Sequence, residues 1–125
     1  LMMNQKGHVS EGPGMCFFMV RDGVPVTPSI TSNILESITR DTVIKILRDE
    51  LGLETVERDV DRSELYACEE AFFCGTAWEI SPITSIDGIP VGTGKIGSLA
   101  GRLAEIYFDI ATGVVEDTLG WLTAI

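Results

Sequence analysis

The chain has 125 residues, 45% of them apolar, which is enough for one domain with its own core and gives no ground for two. Nine Lys and Arg against 19 Asp and Glu leave a net charge of −10, which argues against a nucleic-acid surface and against docking on anionic membranes, since both need clustered cations. One histidine and three cysteines without CxxC spacing make a poor zinc site and fit a reducing, cytoplasmic setting.

Leu1-Met2-Met3 reads as the end of a strand running into a turn at Asn4–Gly7, so the chain reads as a fragment that begins in mid-strand. His8 to Gly12 is a short extended piece. Met15 to Val20 is a continuous apolar run, expected to be a strand buried on both faces. Arg21-Asp22-Gly23 supplies a hairpin turn, Val24 to Thr27 the return strand, and Pro28 its end. Ser29 to Glu36 is rich in hydroxyls and reads as irregular. A helix follows, with Val43, Ile44, Leu47 and Leu51 on one face, Ser37 or Thr39 as N-cap and Gly52 at the left-handed C-cap position.

Glu54 to Val60 alternates weakly and predicts an exposed strand. Asp61 to Glu70 predicts a short helix starting at Asp61 or Ser63. Ala71-Phe72-Phe73-Cys74 is a second buried strand, and Cys68 and Cys74 read as small buried apolar residues. Trp78 to Ile86 predicts a strand, Asp87-Gly88 a turn, Ile89 to Val91 its partner and Gly92 to Gly97 a loop. Ser98 to Ala111 predicts a last helix with Leu99, Leu103, Ile106 and Ile110 as its stripe, and Gly120-Trp121-Leu122 a final short strand. Strand pairs joined by tight turns and interleaved with helices make this an α/β or α+β domain spanning 1–125.

Three blocks carry chemistry: Ser10-Glu11-Gly12, Ser37-Ile38-Thr39-Arg40-Asp41 and Gly75-Thr76-Ala77. They combine one carboxylate beside a glycine with two hydroxyl-bearing turns that can present backbone N–H groups. Such a set can grip a phosphorylated nitrogen heterocycle. A carboxylate against a ring nitrogen keeps that nitrogen protonated, and the free N–H groups and dipole of a helix start favour phosphate. Each block also has a plain structural reading: an exposed strand-end carboxylate, an ordinary N-cap, and a tight turn whose glycine serves its backbone angles. Arg40 and Asp41 read as structural, through an ion pair or a carboxylate near the helix start. Glu69 and Glu70, as neighbours on a helix, read as a solvated face rather than an acid/base pair. His8 reads as a strand-end residue.

In this order and spacing the blocks resemble the C-terminal half of the branched-chain amino acid aminotransferases, pyridoxal-phosphate enzymes of fold type IV, from about Asn4 to Leu122. Glu79-Ile80-Ser81-Pro82-Ile83 and Gly120-Trp121-Leu122 resemble these enzymes more than their D-amino acid relatives. The resemblance implies the large C-terminal domain of a D-amino acid aminotransferase-like fold, with mixed sheets in a pseudo-barrel and flanking helices. It implies pyridoxal 5'-phosphate as cofactor, held by Glu11 at the pyridine nitrogen, Leu35 on the ring face, and Ile38, Thr39 and Thr76 at the phosphate. Thr76 and Ala77 would also meet the substrate's α-carboxylate. The implied reaction is amino transfer between Leu, Ile or Val and 2-oxoglutarate, in a cytoplasmic homodimer.

The family's Schiff-base lysine precedes the Ser-Glu-Gly block, so the small N-terminal domain and that lysine are expected to lie outside this chain. Lys6, Lys45 and Lys95 do not match it, and the chain alone is expected to be inactive. Three differences set the chain apart from the family pattern. Pro13 stands where a small hydroxyl residue is usual, Met15-Cys16 where Glu-Asn is common, and Ser37 where a glycine precedes Ile38-Thr39. Other fold type IV chemistries (4-amino-4-deoxychorismate lyase, D-amino acid or amine transaminase) and a catalytically silent binding module remain as alternatives.

Overall fold

The computed structural model describes residues 1–118 and 120–123. The first apolar run forms β1 (Cys16–Arg21), which a two-residue turn reverses into β2 (Val24–Pro28). The turn residues Asp22 and Gly23 have φ of 53° and 74°, the left-handed pair that a tight hairpin of matching twist requires. A 3-10 turn at Ile30–Ser32 leads to helix α1 (Ile38–Asp49), and β3 (Val56–Arg58) follows it. Strands β4 (Glu70–Gly75) and β5 (Glu79–Ile83) form the second half of the sheet. A small ribbon of β6 (Ser85–Ile86) and β7 (Ile89–Pro90) precedes helix α2 (Ser98–Ala111).

The five-stranded sheet has the order β3-β2-β1-β4-β5. Only β2 and β3 pair in parallel; the other neighbours are antiparallel. Alternate side chains of β1 enter two separate cores. Cys16 and Phe18, with Phe72 and Cys74 of β4, meet Val43, Ile46 and Leu47 of α1 and Ala100 and Leu103 of α2. Phe17 and Met19, with Ala71, meet Val9, Val26, Val60, Leu65, Cys68 and Val91 on the other face. Both faces being covered explains why β1 reads as a continuous apolar run. The Phe18 and Phe72 rings stack at 5.1 Å, and Phe17 meets Phe73 edge-on at 6.0 Å. Truncating Phe17, Phe18 or Phe72, all fully buried, to alanine removes about 3–5 kcal/mol.

Four expectations are corrected. Residues 61–70 do not form a helix of that length; only Arg62–Tyr66 turns, as a 3-10 helix. The turn is cut short because the Glu69 N–H donates to Val20 O at 2.9 Å and Glu70 already pairs with Val20 in the sheet. The Trp78–Ile86 strand is divided, with Trp78 in a turn and Thr84 between β5 and β6. Residues 120–122 form no strand; the Leu122 N–H donates to the Asp117 carboxylate at 2.6 Å. In α1 the fully buried apolar set is Val43, Ile46 and Leu47, while Ile44 and Leu51 only flank it, because the helix packs on the sheet and on α2 together.

The sheet's two edges differ in how they end. The β3 edge is three residues long and carries Glu57 and Arg58, and the β5 edge contains Pro82, which has no N–H to offer. Antiparallel pairing puts the start of β1, the ends of β2 and β4 and the start of β5 at one end of the sheet. The three blocks singled out in the sequence all emerge at that end.

Candidate functional site

Backbone ties fix the first block before any side chain acts. Val9 N–H donates to Val60 O at 2.8 Å, Met2 N–H to Glu11 O at 2.7 Å and Ser10 N–H to Met2 O at 2.9 Å. From this platform two neighbouring side chains reach the loop that precedes α1. The Ser10 hydroxyl donates to Asn33 O at 2.8 Å, and a Glu11 carboxylate oxygen accepts the Leu35 N–H at 3.0 Å. Asn33 holds a left-handed φ of 61°, which its short amide tolerates. Gly12 is needed for packing. A Cβ there would lie 2.5 Å from Met15 Cγ and 2.9 Å from Phe73 Cε1.

The second block opens α1. Ser37 is the N-cap, its Oγ accepting the Arg40 N–H at 3.3 Å, and Thr39 lies inside the first turn. Asp41 N–H returns to Ser37 O at 3.0 Å. The Ile38 and Thr39 N–H groups have no acceptor among the described residues. The two side chains part company: Ile38 is 87% exposed and Thr39 only 6%. Arg40 is the structural residue of the block. Its guanidinium is buried, donates to Pro28 O at 3.1 Å and pairs with Glu57 at 2.5 Å, tying the end of β2 and the middle of β3 to the helix start. Asp41 holds Lys45 at 2.7 Å on the exposed side.

The third block is the turn between β4 and β5. Gly75 pairs with Glu79, and Thr76, Ala77 and Trp78 make the exposed link between them. The Thr76 and Ala77 N–H groups also lack an acceptor among the described residues. Gly75 allows the turn to lie against the first block: a Cβ on it would stand 3.1 Å from Gly14 O. Glu79 takes a φ of 50°, a left-handed conformation that costs a non-glycine residue about 1–3 kcal/mol and is kept where surroundings impose it.

Under the three blocks lies Cys16, a residue whose place in the site the sequence did not disclose. Its thiol donates to Leu35 O at 3.7 Å. The Cys16 thiol is held down to about 7, chiefly by a hydrogen bond from Cys74, against the opposing effect of burial, with the Ser37 hydroxyl assisting. The same Cys74 thiol is pushed up, by its bond to Cys16 and then by burial. The Leu35 peptide is therefore held at both ends, its N–H by Glu11 and its carbonyl by Cys16. Leu35's own side chain is 71% exposed at the mouth of the site.

The chemistry of this donor set is specific. Four N–H groups without acceptors and the Thr76 hydroxyl can receive a phosphate, and a half-buried carboxylate can hold a cationic ring N–H. The residues present therefore fit a phosphorylated pyridine. A surface hollow of about 340 Å³ between the C-terminal ends of α1 and α2 does not; Glu50, Asp109, Glu116 and Asp117 outnumber Arg102 in its lining and would repel phosphate. The lysines stand apart: Lys45 is engaged with Asp41, and Lys6 and Lys95 are exposed. Glu69 and Glu70 are not a helix face. Glu69 accepts the N–H groups of Asp22 and Gly23 at 2.9 Å each, and Glu70 caps α2, accepting from Leu99 and Ala100 at 3.1 and 2.9 Å.

A family model described as amino-transferase class IV matches residues 1–86. A probable branched-chain-amino-acid aminotransferase of Aquifex aeolicus is 41% identical over all 125 residues, and the branched-chain-amino-acid aminotransferase of Escherichia coli K12 is 43% identical over the same span. The chain spans about 40% of the length of each. The branched-chain amino acid aminotransferase of Thermobaculum terrenum, solved in its PLP form, superposes with a TM-score of 0.94 at 50% identity, over 98% of this chain and 40% of that one. The branched-chain aminotransferase of the archaeon Thermoproteus uzoniensis, solved with norvaline, gives 0.90 at 47% identity, again over 98% and 40%.

Proposed function

Because the chain belongs to the class IV aminotransferase family, we propose that it is the greater part of a C-terminal, cofactor-binding domain. The parent enzyme would use pyridoxal 5'-phosphate to move amino groups between leucine, isoleucine or valine and 2-oxoglutarate. The observation that carries this reading is the meeting of Glu11 with the Leu35 peptide beside the open start of α1. The carboxylate is bonded to the loop just before that helix, whose first N–H groups have no acceptor among the described residues, and a protonated pyridine bearing a phosphate asks for both functions.

The residues divide the work. Glu11 keeps a proton on the ring nitrogen, since a carboxylate at that atom favours its charged form. The Ile38 and Thr39 N–H groups and the Thr76 hydroxyl hold the phosphate. Leu35 would lie on the ring face and exclude water from it. The Thr76-Ala77 turn orients the substrate carboxylate through its N–H groups. Bound here, the cofactor supplies an electron sink for the substrate carbon that gives up its proton. The resemblance puts the Schiff-base lysine ahead of the Ser10-Glu11-Gly12 block, and on this reading it would come from another part of a longer protein. The same reading makes the parent enzyme cytoplasmic and homodimeric. Among the described residues no helix is long and apolar enough to cross a membrane.

Titration of the purified chain with pyridoxal phosphate, followed by visible absorbance, tests the reading. A saturable spectral shift is expected, weakened on Glu11→Ala and on Thr76→Val, with no transaminase turnover by the chain alone. A shift indifferent to both substitutions, or turnover without added protein, would overturn it.

A further inference from the structure

Cys16 and Cys74 are direct partners across the antiparallel β1–β4 pair, and both belong to the same apolar core, on the helix-covered face of the sheet. Direct partners in such a pair have Cα atoms about 4.5–5.5 Å apart, inside the window of about 4.4–6.8 Å that a disulfide spans. The next pair on that face, Phe18 and Phe72, stacks nearly parallel at 5.1 Å, so side chains here meet their partners directly. We propose that Cys16 and Cys74 are a reversible thiol pair, oxidised by peroxide to a cross-strand disulfide beneath the three site blocks. The third cysteine differs on each count. Cys68 lies in the opposite core, its thiol donates to Leu65 O at 3.2 Å, and burial pushes it up.

The chemistry balances with peroxide as the oxidant. Cys16, the thiol held down by its neighbour's hydrogen bond, attacks one peroxide oxygen as its thiolate. The O–O bond breaks, Cys16 becomes a sulfenic acid, and the departing hydroxide takes a proton to become water. The Cys74 sulfur then attacks the Cys16 sulfur, the S–O bond breaks, and the Cys74 proton leaves with the hydroxyl as a second water. Two thiols and one peroxide give one disulfide and two waters. Cys16 lies under the Asn33–Leu35 loop, its thiol donating to Leu35 O, and that loop meets the first block through the Ser10 and Glu11 hydrogen bonds. Closing the bond removes the thiol donor from Leu35 O and joins the strand after Gly12 to the strand ending at Gly75.

Peroxide treatment of the folded chain, then unfolding, alkylation and cleavage after glutamate, decides the matter; cuts at Glu69 and Glu70 separate Cys68 from Cys74. The expected product is one peptide pair linked through Cys16 and Cys74, with Cys68 alkylated and the link lost on adding a thiol reductant. Cys68→Ser should leave the link intact, and Cys74→Ser should stop Cys16 at a sulfenic acid that a diketone probe traps. Three alkylated cysteines, a link involving Cys68 or a second chain, or Cys16 driven to sulfinic acid while Cys74 stays free, would each overturn the proposal.

Discussion

The two helices begin in opposite ways. At α2 a carboxylate from the sheet, Glu70, fills the N-terminus and takes the Leu99 and Ala100 N–H groups. At α1 the chain supplies only the Ser37 hydroxyl, spent on Arg40, and leaves the Ile38 and Thr39 N–H groups without an acceptor among the described residues. The 3-10 helix at Arg62–Tyr66 follows the first pattern on a smaller scale, Glu64 reaching back to the Asp61 N–H at 3.1 Å. The difference teaches where an outside anion fits. A helix start already holding a carboxylate is an internal joint, whereas one left with free donors at the mouth of a site is a place for phosphate.

The largest effect should come from disturbing the closed start. Gly97 has ordinary angles (φ −72°, ψ 158°), so alanine there is not strained, yet its Cβ would lie 1.9 Å from Glu70 Cδ. Gly97→Ala must expel the carboxylate, and a loss of about 2–3 kcal/mol is expected from denaturant midpoints. Glu70→Ala should cost a similar amount, and the double variant clearly less than the sum, since both break one joint; strict additivity would refute the coupling. Ser37→Asp brings a carboxylate to the open start. It should stabilise α1 by about 0.3–1 kcal/mol while weakening pyridoxal phosphate binding about tenfold, two opposite signs from one change. Equal or tighter binding would break the comparison.

The smallest effect is in acid. Glu64 is held below its ordinary 4.5, first by its hydrogen bond to Arg58, whose guanidinium it meets at 2.6 Å. A depressed native carboxyl contributes stability that is present above pH 4.5 and fades as pH falls through the lower native value. Part of the pair faces solvent, so less than about 1 kcal/mol is involved. Glu64→Gln should flatten the acid limb of the stability curve, and an unchanged limb would remove Glu64 from the account.

Local chemistry made much of this legible. The Asp22-Gly23 hairpin, the doubly buried β1 and the full extent of α2 follow from turn residues and periodicity within a few positions. The three blocks were likewise visible, and they converge at one end of the sheet. What stayed hidden depends on distant pairing. Glu70 looked like a solvated neighbour of Glu69 because its partners lie 29 and 30 residues away. Cys16 looked like a departure from a pattern until strand register set it against Cys74. Ile38 and Thr39 shared one motif but differ in burial, because only tertiary packing decides which side of a first helical turn is covered.

The sheet's edges carry a last consequence, for crowding and assembly. At one side a three-residue strand bears Glu57 and Arg58, each already committed to a partner within the chain, to Arg40 and to Glu64. At the other, Pro82 breaks the row of donors. Neither border invites a foreign strand to zip on. A second copy meeting either of these borders would therefore do so through side chains and loops.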